Sequence, residues 1–182
     1  HWTSISDAGV QDIKGVWELS RFPWAFALTR AYATTQDPRY QDAFWKLFAG
    51  WCDRNPPNAG ANWMCGQEAT FRLMAVLFAV ELFGLREKEQ PGLSRFVVAT
   101  GHRISANLDY ALSQKNNHGI SECVGLITAA IVLRDQPQAD RWLRLGLSKL
   151  QAQFSELIYP DGSFSQHSLI YHRVLLHDLV WV

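Results

Sequence analysis

The stretch Phe71-Arg72-Leu73-Met74-Ala75-Val76-Leu77-Phe78 is the part of the sequence that decides its fold class. It lies in a predicted helix over residues 64–83 whose surface is apolar nearly all round, which is typical of a helix buried on several sides. A second helix of this type is predicted over residues 119–134. No stretch alternates apolar and polar residues over the length of a strand. The sequence therefore predicts an all-α fold.

Amphipathic helices are predicted around these two, at residues 22–34, 38–53, 91–112, 137–158 and from about 165 onward. Turn signals separate the helices, at Asp37-Pro38, residues 55–60, Gly84, residues 114–119 and Pro160-Asp161-Gly162. About seven helices of two kinds indicate an inner layer of helices shielded by an outer layer, rather than a simple four-helix bundle.

Composition limits the classes of function that the chain can have. It has 182 residues, 48% hydrophobic and 19% charged, so one domain spanning residues 1–182 can bury a substantial core. Lysine plus arginine and aspartate plus glutamate both number 17, which argues against general nucleic-acid binding. Glu81 ends the longest apolar run before it reaches the length of a membrane span. Because the sequence begins at His1 without a methionine, we expect a fragment or a processed product.

A first polar segment leads into the helix over residues 64–83. Glu68 and Arg72 are four residues apart, so they can form an ion pair on one face of that helix. The same two residues can instead form the polar wall of a cleft, in which Trp63 would stack on a sugar ring. The sequence leaves both interpretations open.

A second polar segment, Asn116-Asn117-His118, precedes the apolar helix over residues 119–134, and Glu122 follows it. One asparagine can cap the helix, and a glutamate in the first turn suits the helix N-terminus. Capping does not explain a second asparagine followed by a histidine. Since free N–H groups point outward from a helix N-terminus, a carboxylate ligand is the functional alternative.

A third polar segment precedes the last helix. Ser163 and Gln166 are predicted to form a capping box for it. Tyr171 is either a core aromatic residue with a satisfied hydroxyl or a functional residue. The histidines that recur every five residues from His167 point to different faces of a helix, so we predict no metal site, and we predict no cofactor.

Together the three segments resemble the heparinase II/III-like polysaccharide lyases, a family that includes the oligoalginate lyases. The resemblance covers nearly the whole chain. It rests on residues 12–22, Asn55-Pro56-Pro57, Asn62-Trp63 with Glu68 and Arg72, Asn116-Asn117-His118 with Glu122, and Asp161-Gly162-Ser163 with Gln166, Ser168 and Tyr171-His172.

The resemblance implies an incomplete (α/α) toroid, followed in full-length members by a β-sandwich domain that this chain lacks. It implies cleavage of a uronic-acid-containing glycan by β-elimination, in which Asn117 and His118 neutralise the uronate carboxylate and Tyr171 acts as acid and base. The substrate-binding residues that we predict on this basis are Trp63, Gln67, Glu68, Arg72, Glu122 and His172.

The same resemblance implies an acidic polysaccharide or oligosaccharide as the partner, and a secreted or periplasmic location. Because family members often take a further histidine or tyrosine from the β-sandwich, we expect the 182-residue chain alone to be a weak or inactive lyase. The balanced charge gives no broad basic surface, which favours a less sulfated polymer.

Two other functions fit these residues. A glycoside hydrolase on a helical toroid would use two carboxylates, for example Glu122 and Asp161. A non-catalytic helical domain would only bind glycans. Ultraviolet absorbance of the product separates lyase from hydrolase, because only elimination creates an unsaturated sugar.

Overall fold

The computed structural model describes residues 1–5, 12–84 and 91–182. Within these residues it contains seven α-helices of 13 to 19 residues, two of six residues and two short 3-10 helices. The prediction of an all-α chain with about seven long helices is therefore confirmed for this part of the protein. In the same ranges, no helix combines the length and apolar character that crossing a membrane requires. The chain divides into two compact units, residues 1–99 and 100–182.

The first unit contains α1 (Lys14–Leu19), α2 (Pro23–Thr35), α3 (Pro38–Arg54), a 3-10 helix (Ala61–Trp63) and α4 (Gly66–Leu82), and α5 (Pro91–Ser105) begins in it. The start of α3 follows the sequence signal. The Asp37 carboxylate accepts the N–H of Arg39 at 2.9 Å, and Pro38 occupies the first helical position. Helix α2 packs against both α3 and α4.

The core of the first unit is unusually aromatic. Phe22 has a left-handed backbone with φ of 58°, which is costly for a bulky side chain. Its ring is buried and meets the Trp51 ring edge to face, with centroids 5.1 Å apart. Phe44 and Phe48 on α3 extend the same cluster. Burial of these large rings offsets the local backbone strain at the start of α2.

The second unit contains α6 (Leu108–Ser113), α7 (Asn117–Val132), α8 (Ala139–Leu157) and α9 (Leu169–Trp181). Helix α7 packs against α6, α8 and α9, as its nearly continuous apolar surface predicts. Gly146 allows α8 to approach α7 closely, because a Cβ atom there would lie 2.7 Å from the Ile127 side chain.

One predicted helix is two helices in the structure. The segment predicted as continuous over residues 91–112 is interrupted between α5 and α6. At the interruption, the Asn107 side-chain amide donates to the Arg103 carbonyl oxygen at 3.1 Å. This side chain therefore replaces a backbone donor at the end of α5, which is the usual way in which asparagine competes with a helix.

The predicted capping box at the last helix is wrong. Helix α9 begins at Leu169, and Ser168 is its N-cap, with its hydroxyl oxygen 3.5 Å from the Tyr171 N–H. Ser163 instead donates its hydroxyl to the Asp161 carboxylate at 2.7 Å, within a tight turn. The Gln166 side chain is turned toward α7. The last helix thus begins four residues later than the predicted start at about residue 165. The preceding turn is closed by an antiparallel bridge between Ile158 and Phe164.

Candidate active site

The two asparagines before α7 have different roles. The Asn116 side-chain oxygen accepts the N–H of His118 at 2.9 Å and caps the helix, as one of the two was predicted to do. Asn117 is the first helical residue, and its backbone N–H donates to the Gln166 side-chain oxygen at 2.9 Å. The Asn117 side-chain amide makes no hydrogen bond to any residue that the structure describes, and the residue is 4% exposed. The amide therefore has no competing partner among these residues, and very little of the residue is open to solvent.

Tyr171 lies in the first turn of α9 and is 40% exposed. Its phenol has no hydrogen-bond partner within residues 1–5, 12–84 and 91–182. The structure therefore contradicts the interpretation of Tyr171 as a core aromatic residue with a satisfied hydroxyl. The neighbouring His172 is half-buried, with its ring centroid 6.5 Å from that of Phe164. His118 is half-buried in the first turn of α7.

Side-chain hydrogen bonds join α9 to α7 in the part of the chain that the structure describes. The Ser121 hydroxyl donates to the Asp178 carboxylate at 2.5 Å, and Trp181 Nε1 lies 3.0 Å from the Thr128 hydroxyl oxygen. Residue numbers increase in the same direction along both helices, so α7 and α9 run roughly parallel. Their N-terminal ends, which carry Asn117 and Tyr171, are therefore at the same end of this pair.

Asn117 and Tyr171 lie on the same helix faces as the residues that form the Ser121–Asp178 hydrogen bond. Asn117 and Ser121 are four residues apart, and Tyr171 and Asp178 are seven apart, so each pair lies on one face of its helix. Ser121 and Asp178 face each other across the contact between α7 and α9. Asn117 and Tyr171 thus belong to the faces by which the two helices pack, one or two turns closer to their N-terminal ends.

Asp178 is an unusual carboxyl group because it is 1% exposed inside a mostly apolar helix. Burial raises its pKa to about 7, while the hydrogen bond from Ser121 lowers the pKa by a smaller amount. Near neutral pH this carboxyl group therefore exists in both protonation states.

The two carboxylates considered for a hydrolase lie in different surroundings. Glu122 is buried in the second turn of α7, not in the first turn as predicted. Asp161 is exposed, and hydrogen bonds from Ser163 lower its pKa. A hydrolase needs one carboxyl group whose pKa is raised so that it can donate a proton. The lowered pKa of Asp161 fits the ionised base or nucleophile of such a pair, and not the proton donor.

In the first unit, Glu68 has a different partner from the predicted one. Its carboxylate accepts two hydrogen bonds from Arg21, at 2.7 and 2.6 Å, and this interaction raises the pKa of Arg21. The ion pair with Arg72, one of the two interpretations that the sequence left open, is therefore replaced by a pair with Arg21. Glu68 is buried while Arg21 is partly exposed, so the arginine brings a compensating charge to a carboxylate that the solvent does not reach.

Arg72 points into the protein interior. It is 1% exposed, its guanidinium carbon lies 5.2 Å from the centroid of the Trp51 ring, and Nη2 donates to the Asn62 carbonyl oxygen. Burial lowers its pKa to about 10, and the nearby Glu68 charge opposes that shift. A guanidinium in this position offers little surface to a polymer, and the contacts described for it are with Trp51 and Asn62.

Trp63 and Gln67 are also buried. Trp63 Nε1 donates to the Asn55 carbonyl oxygen at 3.1 Å, and the indole forms part of the wall of a cavity of about 490 Å³ within the first unit. The cavity is lined mainly by aromatic and small side chains, with Asp53, Asn55 and Arg95 as its polar members. A ring that is 2% exposed offers little surface on which a sugar could stack.

Sequence reasoning missed Gln166, Ser121 and Asp178 as neighbours of the predicted site. The predicted capping box with Ser163 was a sufficient local reason for a glutamine at position 166. Asp178 had a usable signal, since it is the acidic residue of a largely apolar helix, seven residues after Tyr171. Its partner Ser121 is 57 positions away and is visible only in the folded chain.

Comparison with known proteins places this geometry in context. A family model described as "Heparinase II/III N-terminus" matches residues 2–182. Heparin-sulfate lyase from Bacteroides thetaiotaomicron is 26% identical over 166 residues, which cover 88% of this chain and 24% of that protein. Heparin-sulfate lyase from Pedobacter heparinus is 23% identical over 168 residues, covering 90% and 25%. The chain thus spans about a quarter of the length of these curated relatives.

Solved structures of similar fold belong to the same group. A crystal structure of Heparinase III matches with a TM-score of 0.72 and 24% identity, over 90% of this chain and 25% of that one. Heparan sulfate lyase HepC from Pedobacter heparinus matches with a TM-score of 0.68 and 20% identity, over 100% and 29%. The helical toroid architecture predicted from the sequence is confirmed by these similarities.

Proposed function

The chain belongs to the Heparinase II/III N-terminus family, and from this premise we propose that it forms part of a polysaccharide lyase that cleaves uronic-acid-containing glycans by β-elimination. The names of its relatives make heparan sulfate the first substrate to test. Asn117, assisted by His118, would neutralise the uronate carboxylate, and Tyr171 would transfer protons as acid and base.

The chemistry of the reaction explains why such residues are needed. A base removes the proton on C5 of the uronate, the electron pair forms a C4–C5 double bond, and the C4–O bond breaks. The leaving oxygen then takes a proton from a general acid. Loss of the C5 proton places additional negative charge on a carboxylate that is already anionic, so a neutral hydrogen-bond donor at that group lowers the barrier.

Asn117 suits the role of donor. Its side-chain amide is uncharged and has no hydrogen-bond partner in the part of the chain that the structure describes. It lies in the first turn of α7, where the helix dipole favours a bound anion, while the N–H groups of Asn117 and His118 already donate to Gln166 and Asn116. An anion at this place would also be near His118, one residue further along the helix.

Tyr171 suits the role of proton transfer. Its phenol is unpartnered among the described residues and partly exposed, at the end of α9 that corresponds to the Asn117 end of α7. The single observation that carries the proposal is this arrangement. Two parallel, packed helices carry at the same end an amide and a phenol that have no hydrogen-bond partner among the described residues. Hydrogen bonds between Ser121 and Asp178 and between Trp181 and Thr128 hold the helices together.

The test is an elimination assay on the full-length protein with heparan sulfate and with an unsulfated uronate polymer as separate substrates. We expect ultraviolet absorbance from the unsaturated product. Tyr171→Phe and Asn117→Ala should each lower kcat at least about 100-fold, with a smaller change in KM for Tyr171→Phe. Saturated products with a new reducing end would instead indicate a hydrolase. Full activity of Tyr171→Phe would contradict the proposed role of its phenol.

A further inference from the structure

We propose that Gln166 and Asp178 are positioning residues. One precedes Tyr171 in sequence and the other follows it, and both bind α7, so together they fix the Tyr171 phenol relative to the Asn117 amide. The inference rests on the proposed function, because it concerns the placement of the two residues that would perform the elimination. Neither residue is expected to touch the substrate.

Gln166 acts at the near end. Its side-chain oxygen accepts the backbone N–H of Asn117 at 2.9 Å, which is one of the donors that a helix N-terminus leaves without an internal partner. The bond joins the segment just before α9 directly to the residue that carries the amide. Gln166 is five residues before Tyr171, and Ser168 caps α9 between them. A shift of the start of α9 would therefore break this bond.

Asp178 acts at the far end. It lies two helical turns after Tyr171 on the same face of α9, so its position fixes both the rotation of the helix and its translation along its axis. The 2.5 Å hydrogen bond joins it to Ser121, which is one turn after Asn117 on the same face of α7. The two bonds thus connect α9 and the segment just before it to α7, through residues close to Asn117 and Tyr171.

Two attachments are needed because Tyr171 itself is weakly held. The residue is 40% exposed, and Leu169 and Ile170 beside it are more exposed still. Apolar packing alone therefore gives little constraint at the start of α9. A displacement of about 1 Å at reacting groups can cost about 100-fold in rate, so hydrogen bonds that set the register of the helices have a direct effect on turnover.

The experiment compares variants of the full-length protein in the elimination assay. Asp178→Leu removes the acceptor at similar volume, and we expect kcat to fall about tenfold with KM within about threefold of the original value. Asp178→Asn retains an oxygen that accepts the Ser121 hydroxyl, and should restore kcat to within about threefold. Gln166→Leu should lower kcat in the same way as Asp178→Leu.

The matched control is Trp181→Phe. This change removes the hydrogen bond between α9 and Thr128 but lies ten residues beyond Tyr171, so it should lower thermal stability and leave kcat unchanged. If Asp178→Leu does not fold, Ser121→Ala removes the same bond from the α7 side and should give the same loss of kcat.

The outcomes separate the two proposals. Unchanged kcat in Asp178→Leu or Ser121→Ala overturns the positioning roles. An equal loss of kcat in Trp181→Phe also overturns them, because any contact that holds α9 against α7 would then have the same effect. If Tyr171→Phe is fully active, the proposed function itself fails, whatever the positioning variants do.

Discussion

The Arg21 guanidinium forms two hydrogen bonds with the Glu68 carboxylate, at 2.7 and 2.6 Å, although the residues are 47 positions apart. The bonds join the segment between α1 and α2 to the first turn of α4. Removal of the arginine leaves a buried carboxylate without its counter-charge. We expect Arg21→Met to lower the free energy of unfolding by about 2 kcal/mol, less than for a fully buried pair because Arg21 is partly exposed.

Urea denaturation followed by circular dichroism measures this change. The control is Arg39→Met, which removes an exposed arginine from its pair with Asp37 and should alter stability little. Equal effects of the two substitutions would contradict the importance assigned to the pair between Arg21 and Glu68.

Gly146 provides a second prediction, about packing between α8 and α7. A Cβ atom there would lie 2.7 Å from Ile127 Cγ1 and 3.1 Å from the Cys123 carbonyl oxygen. Gly146→Ala should therefore lower the free energy of unfolding by about 1–3 kcal/mol, despite the better helix propensity of alanine. Gly15→Ala in α1 is the control, since nothing lies within 4 Å of its Cβ position, and it should be neutral or slightly stabilising. Comparable melting temperatures of the two variants would rule out the close approach.

The buried carboxyl group of Asp178 predicts a pH dependence of stability. Its pKa is about 7 in the folded chain and 3.8 in the reference state, so the folded chain holds the extra proton between about pH 4 and 7. The free energy of unfolding therefore falls as pH rises through this window, by at most about 4 kcal/mol from this group. Below the window both states are protonated, and above it both are ionised, so the contribution is constant there.

Asp178→Asn isolates this effect, because an amide does not titrate. Urea denaturation at pH 5 and pH 7.5 should show that the substitution becomes more favourable, relative to the original protein, at the higher pH. A difference between the two proteins that is the same at both pH values would show that the Asp178 carboxyl group does not titrate in this range.

The adjacent asparagines allow a matched test of the proposed substrate contact. Asn117→Asp places a negative charge where the uronate carboxylate would bind, and should lower kcat/KM at least about 100-fold in the elimination assay. Asn116→Asp adds the same charge one residue earlier, but aspartate is an equally good helix cap, so kcat/KM should change less than about threefold. If both variants lose activity to the same extent, general repulsion of the polymer explains the result better than a specific contact of Asn117.

The sequence predicted those features that depend on neighbouring residues. Asp37 and Pro38 start α3, and Asn116 caps α7, because a cap is recognised within three or four positions. The layered, all-α architecture followed from the apolar surfaces of α4 and α7, since such helices must be covered on several sides.

Long-range partners could not be predicted in this way. Glu68 has a cation four residues away in Arg72, which is a plausible local partner, yet the fold brings Arg21 closer and turns Arg72 toward Trp51. Gln166 fitted a local cap but binds Asn117, 49 residues earlier. In each case a local interaction was available and a tertiary one replaced it, because side chains at the ends of helices can reach several neighbouring elements.

The hydrogen bond between Trp181 and Thr128 has a practical consequence for spectroscopy. Only two of the eight tryptophans, Trp142 and Trp181, lie in the second unit, and Trp181 is the one carried by α9. Its indole emission should shift to longer wavelength when α9 leaves α7 and the ring meets water. A protein in which the other tryptophans are replaced by phenylalanine would thus report undocking of a single helix by fluorescence.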